Sequence, residues 1–250
     1  MDFLANISSY PLQVIALMLS ATLIGFAKTG VQGIGAVAAP LMAIAFGAKE
    51  STGVILPMLC FADIIAVIYY RRNAEWKFIL RLLPSAIVGF FVALWVDSLI
   101  AKESFKLLMA FCIFLGLAIM YLARGGRGEK IAHSRACGLC FGVLGGFTTM
   151  IGNAAGPVMS VYLLSANLPK LAFVGTSAWF FLLVNYMKIP LQIFVWDNIT
   201  KDSILVSALG IPFIFFGAIV GIFLVKKVPE KTFRVLVVLA TILATIGMIA

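Results

Sequence analysis

The segment from Ala136 to Pro169 contains no charged side chain over 34 positions. One ordinary membrane helix needs about 20 apolar residues, so this segment is too long for a single span and suits a hairpin of two shorter helices. Further apolar runs follow one another along the chain: Phe3 to Ala27, Thr29 to Ala48, Ser51 to Tyr70, Leu82 to Val96, Leu107 to Ala123, Leu171 to Met187, Ser203 to Val225 and Val235 to Ala250.

Composition agrees with repeated membrane crossing. The chain is 63% hydrophobic and 12% charged, whereas soluble domains are about 45–50% apolar and about 25% charged. A membrane β-barrel would need apolar and polar residues in alternation, and Phe213 to Val225 is apolar throughout. We therefore predict an all-α polytopic membrane protein with about eight helical elements, together with broken or re-entrant half-helices.

The most polar segment, Arg124 to Arg135, divides the chain near its middle. We predict an N-terminal membrane repeat at 1–123, a cytoplasmic linker at 124–135 and a C-terminal membrane repeat at 136–250. Short patterns recur in the same order in both halves: Gly35 and Pro40 with Gly152 and Pro157, Gly53 and Asp63 with Gly175 and Asn185, Pro84 and Gly89 with Pro212 and Gly217, and Ser104-Phe105-Lys106 with Thr232-Phe233-Arg234.

Loop charge predicts that the two repeats are inverted. Arg71–Arg81, Arg124–Arg135 and Lys226–Arg234 each hold four Lys or Arg residues, and Val96–Lys106 and Lys188–Lys201 each hold two. Loops rich in Lys and Arg face the cytoplasm. Because corresponding loops of the two halves differ in charge, we expect inverted-topology repeats with both termini outside.

Two glycine-rich segments, GFAKTGVQGIGAVAAP at Gly25–Pro40 and GGFTTMIGNAAGP at Gly145–Pro157, interrupt the apolar runs. We expect each to start a half-helix near mid-membrane, where the N–H groups of its first turn and its dipole attract an anion. Close packing of glycines between helices is the alternative. The candidate substrate-binding residues are Lys28, Thr29, Gly30, Gly33, Gly35, Thr148, Thr149, Gly152, Asn153 and Gly156.

Asp63 is the only acid inside a long apolar run. Two roles stay open for it: a proton carrier for coupled transport, or a partner for Lys28 and for polar groups of neighbouring helices. Asn185 occupies the corresponding place in the second half, so both are candidate coupling residues. Lys188, close to Pro190, is expected at a membrane edge with its ammonium reaching to the interface.

Enzyme signatures are absent from the sequence. The single histidine, His133, lies in the predicted linker, so no Ser-His-Asp arrangement and no multi-histidine zinc site is available. A lone Cys137-x-x-Cys140 is weak evidence for metal or redox chemistry. We expect no catalytic residue, metal or cofactor. The expected partners are a small anion and the lipid bilayer, with no nucleic acid because the basic residues are scattered through short loops, and a homodimer stays open.

The two glycine-rich motifs resemble the sulfite exporter TauE/SafE family of bacterial membrane permeases, and so do Gly175-Thr-Ser-Ala-Trp-Phe-Phe181, Asn185, Lys188 and Pro190. The resemblance extends over nearly the whole chain. It implies a secondary permease of the inner membrane for sulfite, a sulfonate or another small organosulfur anion. We expect transport by alternating access; a passive anion channel and an intramembrane enzyme are the alternatives.

Overall fold

The protein is a helical bundle in a computed structural model that describes residues 11–97, 99, 134–153 and 155–249. Every regular element in these ranges is helical, which confirms the all-α prediction. The predicted element Leu107–Ala123 and most of the linker lie outside them. The α-helices are α1 Pro11–Thr29, α2 Ala38–Phe46, α3 Ala48–Tyr70, α4 Trp76–Asp97, α5 Arg135–Gly152, α6 Ala155–Ser165, α7 Lys170–Phe194, α8 Lys201–Leu209, α9 Ile211–Lys227 and α10 Glu230–Ile249.

Several helices are long and apolar enough to cross a membrane. Helices α1, α3, α4, α5 and α7 qualify singly, and α8 and α9 qualify as a pair bent by 48°. The bend falls at Gly210, just before Pro212, whose ring lacks the N–H that would continue the helix. Large apolar side chains cover the outside of the bundle, and Phe194 is 83% exposed. These features confirm a polytopic membrane protein, since a bilayer solvates such a surface.

The first glycine-rich segment forms a helical hairpin. Helix α1 ends at Thr29, a short 3-10 helix follows at Gln32–Val37, and α2 begins at Ala38. The Ser20 hydroxyl donates to the Ala38 carbonyl over 3.4 Å, and a Cβ placed on Gly35 would lie 2.9 Å from that of Ala27. The chain therefore turns back along α1, and the predicted half-helix is present.

The second glycine-rich segment makes the corresponding turn. Helix α5 starts at the N-cap Ser134 and ends before Asn153, which has a left-handed backbone with φ of 53°. Asparagine tolerates this conformation better than most residues, so it can reverse the chain without glycine. Helix α6 then carries Pro157 in its first turn, where the missing N–H costs no helical bond. Gly145 faces Met159, so α6 returns along α5.

Helices α3 and α7 cross at the centre of the bundle as an antiparallel pair. Gly53, near the start of α3, packs on the backbone of Asn198 beyond the end of α7. Gly175, near the start of α7, packs on the Tyr70 carbonyl at the end of α3, where an added Cβ would lie 2.9 Å from the oxygen. Asp63 and Asn185 meet between these two ends.

Each hairpin is held by a helix from the other half of the chain. Helix α1 lies along α9, where Gly25 and Gly217 leave no room for a Cβ against the opposite backbone. Helix α5 lies along α4 in the same way, with Gly146 against the Ala86 carbonyl. Small residues let helix backbones approach this closely in membranes.

Two of the segments rich in Lys and Arg lie at the same end of the bundle. The Lys226 ammonium is 5.2 Å from the centre of the Tyr69 ring at the end of α3. The Lys170 ammonium donates to the carbonyls of Val225 and Val228, each over 2.7 Å. This arrangement brings Arg71–Arg81 and Lys226–Arg234 together, as the charge pattern requires.

Candidate functional site

The turns of the two hairpins meet inside the bundle. A Cβ placed on Gly156, in the first turn of α6, would lie 3.1 Å from the Gln32 carbonyl oxygen. The end of α1 packs beside Gly221, six residues before α9 ends at Lys227. At about 1.5 Å per residue, the turn is about 9 Å from that end of α9. The chain breaks therefore lie within the bundle.

A cavity of 30 Å³ lies where the turns meet. This is space for about one or two water molecules. Six of the residues singled out from the sequence line it: Lys28, Gly35, Thr149, Asn153, Gly156 and Asn185. The structure thus brings residues from both glycine-rich segments and from the middle of α7 to one place.

Lys28 is buried and paired on one side of the cavity. Its ammonium nitrogen lies 2.8 Å from Oδ1 of Asp63, which has no exposed surface. The ammonium also lies 3.9 Å from the centre of the Phe181 ring, within the range of a cation–π interaction. Asn185 donates to the other carboxylate oxygen, Oδ2, over 2.6 Å. Partnership with Lys28, one of the two roles left open for Asp63, is therefore present.

Lys188 is buried on the opposite side, and its expected place at a membrane edge was wrong. Its side chain has no exposed surface. The ammonium donates to the Thr149 carbonyl over 2.9 Å, to the Thr149 hydroxyl over 3.0 Å and to Asn153 Oδ1 over 2.6 Å. All three oxygens can accept a hydrogen bond from a lysine side chain. Helix α7 continues past Pro190 to Phe194, which carries Lys188 into the bundle.

Basic side chains outnumber acidic ones at the site. Lys28 and Lys188 are two buried basic groups, and Asp63 is one buried acidic group. Within the described ranges, the ion pair of Asp63 is with Lys28, and Lys188 contacts neutral oxygens. A buried charge without a counter-ion is unfavourable at membrane depth. The site is thus electrostatically suited to an anion.

Three amide side chains at the cavity carry buried atoms with no hydrogen-bond partner in the described part of the chain. Both the nitrogen and the oxygen of the Gln32 amide are in this state, as are Nδ2 of Asn153 and Oδ1 of Asn185. Buried polar atoms normally have a partner, and leaving one unpaired costs about 1–3 kcal/mol. These atoms are therefore free to bind a ligand.

Other residues proposed from the sequence have structural contacts away from the cavity. The Thr29 hydroxyl lies 2.9 Å from the Ala218 carbonyl of α9, and the Thr148 hydroxyl donates to the Leu144 carbonyl over 2.8 Å. A Cβ on Gly30 would lie 3.0 Å from the Gly221 α-carbon, and one on Gly33 would lie 2.7 Å from the Ala240 carbonyl carbon. Close packing, the alternative for these glycines, is present. Gly152 ends α5 and does not line the cavity.

Comparison with protein families decides the class of the protein. The family model described as "Sulfite exporter TauE/SafE" matches residues 17–248, nearly the whole chain. The chain belongs to the sulfite exporter TauE/SafE family. This membership agrees with the resemblance carried by the glycine-rich motifs, and it makes the chain a membrane transporter of an anion-exporting family. Comparison with curated proteins and comparison with solved structures gave no match.

Three residues at this TauE/SafE site belong to the motifs that resemble the family but were not proposed as site residues from the sequence: Gln32, Phe181 and Lys188. A usable signal existed for two of them. Phe181, Asn185 and Lys188 follow one another at spacings of four and three, which places them on one face of a helix. Ending the apolar run at Met187 separated Lys188 from that face. Gln32 lay within the quoted motif, but its side-chain direction depends on the 3-10 turn after Val31.

Proposed function

We propose that this family member is a secondary transporter that exports a small anion, sulfite or an organosulfonate, by alternating access to the cavity between the hairpin turns. The observation that carries the proposal is that two lysines, Lys28 and Lys188, are buried at the cavity with one acid, Asp63, among the described residues. One bound monovalent anion would balance two positive lysines and one carboxylate.

The anion is held by charge and by directed donors. The Nδ2 group of Asn153 and the Gln32 amide supply unused N–H groups. The first turn of α6, at Gly156, adds backbone N–H groups and the positive end of a helix dipole. Lys188 holds Asn153 in place and contributes its charge from just behind it.

The packing of each half of the chain on the other supports alternating access, in which the site opens to one side of the membrane at a time. Each hairpin lies on a helix of the opposite half, and α3 and α7 are antiparallel. An inverted duplication produces this relationship, and inverted repeats that rock about a central site give alternating access. The cavity has room for one or two waters, so loading the anion needs the hairpin turns to separate.

The end of the bundle that holds Arg71, Arg72, Lys226 and Lys227 is proposed to face the cytoplasm of a bacterial inner membrane. The opposite end, with the starts of α1 and α3, then faces outward. The start of α1 and the end of α10 are on that outer side in this orientation.

The membrane potential supplies the energy for export. Moving one charge across 100 mV is worth about 2.3 kcal/mol, which corresponds to roughly a fifty-fold gradient. With a negative interior, a monovalent anion leaves without a coupled ion. Uptake against the potential needs a co-transported cation, and Asp63 is the proposed proton carrier because it is the buried acid that contacts the anion-facing Lys28.

The proposal is tested with purified protein in liposomes loaded with sulfite. We expect efflux that accelerates when a potassium gradient and valinomycin make the interior negative, and that saturates with internal sulfite. The same protein in detergent should unfold at a higher temperature with sulfite, because a ligand of the folded state stabilises it. Lys28→Ala should lose this increase.

The rival functions give different results in the same preparation. A passive channel would conduct at rates orders of magnitude above a carrier and would show no counterflow of labelled sulfite. An intramembrane enzyme would convert a lipid or peptide without moving sulfite. Either result would replace the transporter proposal.

A further inference from the structure

We infer that the transported anion carries a hydrogen-bond donor of its own, such as a hydroxyl or amino group, and that Asn185 Oδ1 accepts from it. This inference rests on the proposed function, because it concerns the same cavity. It narrows the substrate to singly protonated oxyanions and to sulfonates with an adjacent hydroxyl or amino group.

The orientation of Asn185 follows from its partner. The Asp63 carboxyl group lies 2.8 Å from the Lys28 ammonium at Oδ1, and a carboxylate in such an ion pair accepts hydrogen bonds at both oxygens. Asn185 must therefore turn its NH₂ group to Asp63 Oδ2, which it meets at 2.6 Å. The atom left for the cavity is the amide oxygen, and it is buried with no partner among the described residues.

Asn153 is oriented in the opposite sense. The ammonium of Lys188 has only N–H donors, so Asn153 must present its oxygen there, at 2.6 Å. Its NH₂ group is left for the cavity, buried and unpartnered. The two asparagines therefore offer one donor and one acceptor to the same space.

An anion made only of acceptor oxygens would satisfy Asn153 and leave the buried Asn185 oxygen without a donor from the ligand. Leaving a buried acceptor unpaired is unfavourable, and sites built to bond a polar group reject analogues that lack it. Gln32 has both an unpartnered donor and an unpartnered acceptor, so its amide adapts to either kind of ligand. The orientation of the Asn185 amide is fixed by its hydrogen bond to Asp63, so Asn185 sets the requirement for a donor on the anion.

Sulfamate and methanesulfonate test this inference because they have the same charge and nearly the same size, and only sulfamate carries N–H donors. Their dissociation constants are measured by calorimetry on the intact protein in detergent. We expect sulfamate to bind about tenfold more tightly, the ratio that about 1.4 kcal/mol produces. In Asn185→Ala the ratio should fall to about one, through weaker sulfamate binding.

Asn153→Gly is the matched variant on the donor side, since glycine accepts its left-handed backbone. It should weaken both probes by the same factor and keep their ratio. If Asn185→Ala fails to fold, the two probes compared on the parent protein still decide. Equal affinities of the two probes would overturn the donor requirement and leave the anion site standing. If neither sulfamate nor methanesulfonate binds, both proposals are overturned.

Discussion

Nδ2 of Asn185 lies 2.6 Å from Oδ2 of Asp63, and these residues hold corresponding positions in the two predicted repeats. The contact joins the middles of the antiparallel helices α3 and α7 beside the cavity. An axis that relates two inverted halves passes between equivalent residues, so the contact marks where that axis would lie. The duplication itself stays a prediction.

Replacement of Lys188 tests the excess positive charge. Lys188→Met keeps the length of the side chain and removes its charge, so sulfite affinity should fall about tenfold or more, a change of at least about 1.4 kcal/mol. Calorimetry and liposome efflux measure the effect. Lys231→Met, at an exposed lysine, is the control and should keep parent values. Unchanged sulfite affinity in Lys188→Met would show that Lys188 does not contribute to anion binding.

Gln32→Leu separates a ligand-binding role from a structural one. The buried Gln32 amide has no partner in the described ranges, so an apolar side chain of similar size should leave the unfolding temperature unchanged or raise it. Sulfite affinity should fall by several-fold at the same time. A lower unfolding temperature with intact affinity would show that Gln32 supports the fold and does not bind the anion.

Asp63→Asn tests proton coupling. The amide can still accept from Lys28, but it cannot carry a proton. We expect uptake driven by an inward proton gradient to be lost, while efflux driven by the potential continues. Asp197→Asn is the matched control, because Asp197 is exposed and asparagine suits its φ of 51°. Equal uptake and efflux in Asp63→Asn and the parent would exclude Asp63 from coupling.

Two adjacent glycines test the packing of α5 on α4. A Cβ on Gly146 would overlap the Ala86 carbonyl, so Gly146→Ala should destabilise the protein by about 1–3 kcal/mol. A Cβ on Gly145 would lie 3.8 Å from the Met159 sulfur, an ordinary contact. Gly145→Ala should be neutral or stabilise slightly, since alanine favours helix. Thermal unfolding in detergent compares the pair, and equal effects would contradict this packing.

Single cysteines test the orientation in the membrane. After replacement of the native cysteines, Asn73→Cys at the basic end should react with an impermeant maleimide only when the cytoplasmic side is accessible. Lys201→Cys, at the start of α8, should react from outside intact cells. Both positions are exposed. Labelling of both from the same side would contradict the proposed topology.

The helical class and the glycine-rich breaks could be read from local patterns. Long apolar runs require helices, because backbone groups in lipid must pair within their own segment. The breaks after Lys28 and at Gly152-Asn153 follow from residues that leave helical geometry easily, and both appear as hairpin turns. The sequence-based position of Lys188 was wrong because Pro190 suggested a helix end. A membrane helix can contain a proline when neighbouring helices satisfy the freed backbone groups.

Hydropathy and backbone preferences act over short distances, so they were enough to identify a helical membrane protein with polar breaks inside its helices. Which polar residues share one cavity depends on the packing of the whole bundle. Gln32, Asn153, Asn185 and Lys188 come from separate helices and turns, and their side-chain directions depend on contacts across the bundle. Asp63 accepts a hydrogen bond from Asn185 and Lys188 donates one to Asn153, and these contacts fix which amide atoms face the anion.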